Sequence, residues 1–137
     1  MKKRTFFLIG LMAAIAVSFC FTACSGTKNK LVGQWTGQTE YSSYVIDLKA
    51  DGTFFNVFFD QEEHMQVSTG SYQYTEDSQE LVLIIKTINE PYDTKGLNQP
   101  MPYTVEWDGE DRIYLIDNSD PEHIQKSEPV LRLKMQQ

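Results

Sequence analysis

Two short segments carry the side chains best suited to metal or acid–base chemistry. His64 follows Glu62 and Glu63, and His123 follows Asp120 and Glu122. Imidazole nitrogens and carboxylate oxygens are zinc ligands, but these spacings match no zinc-binding pattern, so the competing reading is two solvated loops. Carboxylates are abundant, 19 Asp and Glu in 137 residues, yet no pair is set apart from ordinary surface charge. A nucleophile elbow, a glycine-rich phosphate loop and a Ser–His–Asp arrangement are all missing. The sequence therefore predicts no catalytic residue, no metal site and no cofactor, and a protein that works by binding.

The remaining candidate groups are positioned by β-strands. From Leu31 onward the pattern has mainly period two, with many aromatic and β-branched residues, and no segment carries a long helical period. Eight strands are predicted: Val32–Gln38, Ser43–Lys49, Thr53–Phe59, Gln66–Tyr74, Glu80–Thr87, Pro102–Trp107, Arg112–Asp117 and Val130–Met135. Alternation assigns an inward face to Tyr44, Ile46 and Leu48; to Phe55, Val57 and Phe59; to Tyr72 and Tyr74; and to Leu81, Leu83 and Ile85. Tyr103, Val105 and Trp107, then Ile113 and Leu115, then Leu131, Leu133 and Met135 complete it.

The connections arrange these strands. Asp51-Gly52 and Asp108-Gly109 are hairpin signals, and Thr75–Gln79 is a short link. In an up-and-down meander these three lie at one end. The links Thr39–Ser42, Asp60–Met65, Ile88–Met101 and Asn118–Pro129 lie at the other. The expected fold is all-β, an eight-stranded up-and-down antiparallel barrel with one closed and one open end. A two-sheet sandwich is the alternative.

Near the open end, Tyr44, Ile46, Val57, Phe59, Ile85 and Tyr103 form a candidate ligand-binding set of apolar walls with two phenol hydroxyls. A barrel of this size can also be filled by its own side chains. Phe54 and Phe58 fall on the opposite face of their strand, where exposed aromatics would suit a protein partner.

Residues 1–23 have a different character. Lys2, Lys3 and Arg4 precede an uncharged apolar run from Phe6 to Phe21, the n-region and h-region pattern of a secretory signal. The run is short for a retained membrane span. Phe21-Thr22-Ala23-Cys24 resembles the lipobox of bacterial lipoproteins, which implies cleavage before Cys24 and lipidation of its thiol. Multiple acyl chains anchor a protein stably. Cleavage without lipidation would leave a free thiol at a terminus. Ser25 follows, with no aspartate there, which in lipoproteins implies transport to the outer membrane and a periplasm-facing domain.

The organisation expected is a signal peptide over 1–23, a lipidated cysteine and polar tether over 24–30, and a barrel domain over 31–137. Cys20 and Cys24 are the only cysteines, so the mature domain of 114 residues has no disulfide and depends on its core. It retains nine basic against 19 acidic residues, a net charge of −10, which excludes nucleic acid as a natural partner.

Gly33-Gln34-Trp35, at the start of the first strand, resembles the Gly-x-Trp motif that opens the lipocalin fold. The likeness extends through Leu31-Val32, Asp51-Gly52-Thr53-Phe54, Gly70-Ser71-Tyr72 and Leu131-Arg132-Leu133-Lys134, and is similar to short lipocalin-like lipoproteins of diderm bacteria. It implies that Trp35 plugs the closed end, with Arg132 packed over it, in a protein that carries a small hydrophobic ligand. The Thr-Asp-Tyr motif of lipocalins is replaced by Asp108-Gly109-Glu110-Asp111.

Overall fold

A computed structural model describes residues 29–89, 91–92 and 94–134. The predicted signal peptide, Cys24 and most of the tether lie outside the described residues, as does Met135. The strands are β1 Gly33–Gln38, β2 Ser42–Leu48, β3 Thr53–Asp60, β4 Met65–Thr75, β5 Glu80–Ile88, β6 Pro100–Trp107, β7 Arg112–Asp117, β8 Gln125–Lys126 and β9 Val130–Arg132. No helix occurs among the described residues.

From β1 to β7 every strand pairs antiparallel with the next, and β9 pairs with both β7 and β1. The sheet is thus a closed up-and-down barrel of eight staves, compatible with a calycin-type fold. The eighth stave is in two pieces. β8 pairs with the end of β7 at Ile116 and Asp117, and β9 with its beginning at Arg112 and Ile113. Pro129, which has no N–H to give a ladder, stands in the break. Ser127 bridges the break: its N–H donates to the Leu115 carbonyl at 2.8 Å, and its Oγ accepts the Leu115 N–H at 2.9 Å.

Strand three corrects the sequence reading. Phe55 and Phe59 face outward, 41% and 37% exposed, and Val57 shares their face; Phe54, Asn56 and Phe58 point inward. The β2–β3 turn explains the reversal. A two-residue loop at Asp51-Gly52 would pair Ala50 with Thr53 and Leu48 with Phe55. Instead the Lys49 N–H donates to the Thr53 carbonyl, making a three-residue loop in which Gly52 has φ +83°. Leu48 then pairs with Phe54, and one residue of shift turns every side chain of β3 over.

The last strand is reversed as well. Leu131 and Leu133 are exposed, while Val130 and Arg132 take the inward positions. Arg132 pairs directly with Trp35 across the β1–β9 ladder, so the two residues share a face.

Two glycines make the wall thin enough for aromatic rings. Gly37 stands opposite Tyr44, whose ring lies where a Gly37 side chain would be. Gly70 stands opposite Phe54 at the β4–β5 bulge, and a Cβ there would meet both the Phe54 ring and the Ile84 carbonyl oxygen. In each case an aromatic from the neighbouring strand covers the glycine and restores the packing its missing side chain leaves open.

Candidate functional site

The interior divides into two halves. In the closed half Trp35, Leu48, Phe54, Leu81, Val105, Ile113 and Val130 are buried almost completely. Trp35 is fully buried, meets Trp107 edge-on with ring centroids 5.9 Å apart, and donates its Nε1–H to the Leu31 carbonyl at 2.8 Å. Gly33, with φ +136°, allows the chain to bring Leu31 back against this end; Leu31 is also fully buried.

Arg132 covers the plug. Its guanidinium carbon lies 4.3 Å from the Trp35 ring centroid, within cation–π range. Its Nη1 donates to the Val32 carbonyl at 3.0 Å, and Nη2 donates to the Lys30 carbonyl. A Cβ on Gly33 would sit 3.2 Å from Nη1, so Gly33 also makes room for the arginine. Gly33, Trp35 and Arg132 therefore meet at the closed end as one structural unit.

The open half is a cavity of about 390 Å³, within the range of small-molecule pockets. Its wall comprises Tyr44 and Ile46 of β2, Asn56 and Phe58 of β3, Ser68 of β4, Leu83 and Ile85 of β5, Met101 and Tyr103 of β6, and Leu115 and Asp117 of β7. Gln125 and Ser127 complete the eighth stave, and the floor reaches Trp35. Of the six residues singled out from sequence, Tyr44, Ile46, Ile85 and Tyr103 line this cavity. Val57 and Phe59 do not, because β3 presents its other face.

The sequence reading missed Phe58, Asn56, Ser68, Met101, Asp117 and Gln125. The cross-strand partnership of Leu48 with Phe54 would have found Phe58. Asp117 continues the parity of Ile113 and Leu115 by one step.

Polar groups are few and placed at defined heights. Asn56 Nδ2 donates to the buried Ser68 Oγ at 3.4 Å. Burial, reinforced by the nearby Tyr103, pushes the Tyr44 phenol up to about 12. Tyr103 is raised as well, first by burial and then by the Asp117 carboxylate. Both phenols line the cavity and remain protonated hydrogen-bond donors at neutral pH.

The two histidines are held within their own loops at the open end. His64 Nδ1 lies 3.1 Å from Asp60 Oδ2, and His123 Nδ1 lies 2.9 Å from Asp120 Oδ2. The Asp60 carboxyl is held below its ordinary range, first by the His64 backbone N–H; Asp120 is lowered first by the His123 ring. No three metal-binding side chains come together among the described residues. A second depression lies outside the closed end between the N-terminal segment and the tight turns, and there Lys30 pairs with Glu76 at 2.6 Å.

No family model, no curated protein and no solved structure matches this chain, so its chemistry must be read from the cavity itself.

Proposed function

We propose that this protein is a membrane-anchored, lipocalin-like lipoprotein that binds a small amphipathic or hydrophobic ligand in the open half of its barrel and performs no chemistry. One observation carries the reading: a cavity of about 390 Å³ with mostly apolar walls, whose floor is the buried core itself, Trp35, Leu48, Phe54, Leu81, Ile113 and Val130. Native mass spectrometry of the protein purified from its own host tests it. A co-purifying small molecule released on unfolding is the expected result, and an interior occupied only by water in every preparation would remove the reading.

The anchor belongs to the same proposal. Lipidation at Cys24 leaves only a short tether before Asn29, which hydrogen-bonds to Tyr72 and Leu31 at the closed end. At full extension those five residues span roughly 17 Å. The closed end then faces the membrane and the cavity opens away from it, into the periplasm if the lipid resides in the outer membrane. Labelled palmitate should be incorporated by the natural chain and not by Cys24→Ala.

A second reading, a protein-contact module, draws on the outer face of β2, β3 and β4. Val45, Val57 and Val67 are cross-strand partners there, flanked by exposed Phe55, Phe59 and Met65. Apolar surface of this extent suits a partner. Co-purification of a stoichiometric protein that is lost in Phe55→Ser with Phe59→Ser favours it.

A further inference from the structure

The cavity wall has a charge asymmetry that the carriage proposal leaves unused. Among the described residues, Asp117 and Lys126 are the charged side chains in the wall. They behave oppositely. Lys126 pairs with Ile116 on the outward parity of β8; its ammonium lies 2.6 Å from Glu106 Oε1 and 4.3 Å from the Tyr114 ring centroid, on the outer surface. The cation is thus drawn out of the barrel.

Asp117 occupies the last inward position of β7, between its cross-strand partners Tyr103 and Gln125. Its Oδ1 accepts the Ser119 N–H at 2.8 Å, which fixes the carboxylate, and Oδ2 receives no hydrogen bond from the described residues. The open rim adds Asp60, Glu62, Asp120 and Glu122 against His64, His123 and Lys95, in a chain of net charge −7.

We infer that the cavity selects amphiphiles bearing a protonated amine over those bearing a carboxylate, with Asp117 receiving the amine and the apolar wall receiving the body of the ligand. The inference rests on the carriage reading and names its ligand class. A carboxylate partly withdrawn from water interacts more strongly than one in bulk solvent. An anionic head would meet that carboxylate with no inward cation among the described residues to oppose it, a repulsive element of the kind that sets specificity. The acidic rim raises the local concentration of cations at the mouth.

Calorimetric titration of the full chain with tryptamine, tryptophol and indolepropionate tests this, because the three share an indole ring on a two-carbon chain and end in a cationic, a neutral and an anionic head. Tryptamine should bind about tenfold more tightly than tryptophol, the effect of one charge-assisted hydrogen bond, and indolepropionate more weakly than either. Asp117→Asn should abolish the preference, bringing tryptamine to the affinity of tryptophol for the same variant, with the unfolding midpoint as a control for folding. Equal binding of all three overturns the charge selection and leaves carriage standing. A tryptamine preference that survives Asp117→Asn overturns the role of Asp117. Binding of none of the three, by the natural chain or the variant, counts against carriage itself and removes the inference with it.

Discussion

The closed and open halves of the barrel are built from the same strands yet are packed in different ways. At the closed end the inward residues are large, close-fitting and buried: Trp35, Leu48, Phe54, Leu81, Val105, Ile113 and Val130. Two or four positions further along the same strands, Tyr44, Ile46, Ile85, Met101, Tyr103 and Leu115 are only partly buried and border empty space. The difference lies in what crosses the axis. Trp35 and Trp107 reach into the closed half from β1 and β6, and Arg132 lies over Trp35. The open half holds no tryptophan, and Asn56 and Ser68 occupy inward positions there among Tyr44, Phe58 and Tyr103. The deepest burial is therefore concentrated at one end of the barrel.

That contrast can be broken by substitution. Trp35→Ala removes the plug and should cost about 3–5 kcal/mol, read from urea unfolding. A loss no larger than that of an open-end variant would erase the distinction between the halves. Gly70→Val drives a side chain into the Phe54 ring and the Ile84 carbonyl, and should destabilise by about 2–3 kcal/mol. Arg132→Leu keeps some cover over Trp35 but loses the hydrogen bonds to Val32 and Lys30; about 2 kcal/mol is expected in the same assay.

Alkaline pH probes the open half. Tyr44 has its folded pKa raised from 10.0 to about 12, so the folded protein holds that proton more tightly than the unfolded chain. Its contribution is complete below pH 10 and is lost as pH rises toward 12, by up to roughly 2 kcal/mol. Tyr44→Phe should flatten that part of the stability profile; an unaltered slope would assign the loss to other groups. The smallest effect is expected of Ile85→Ala. Its side chain already borders the cavity, so unfolding should shift by only about 1 kcal/mol, while the cavity gains room for a bulkier ligand.

Legibility in the sequence followed the same division. β7 appears at its predicted bounds, Arg112–Asp117, because a polar turn precedes it and a loop of Asn, Ser, Asp and Pro follows. Trp35 and Arg132 were recognisable from their motif and their places in the first and last strands. β3 was not: Phe54-Phe55-Asn56-Val57-Phe58-Phe59 places two aromatics on either face, so alternation has no preferred phase. The phase is set by the hairpin, where the added Ala50 in the turn matches Leu48 to Phe54.

The sequence by itself determined an all-β chain, the number of staves and their up-and-down order, since these depend on local alternation and turn residues. It also determined the acidic charge and the absence of any cysteine, and so of any disulfide, beyond Cys24, which follow from composition alone. Only the tertiary structure decided which face of β3 and β9 lines the barrel, because register is a relation between strands distant in sequence. It likewise decided that Asp117 looks inward while Lys126 looks out. The neighbours that hold each of them, Tyr103 and Gln125 in one case and Glu106 and Tyr114 in the other, are brought together only when the barrel closes.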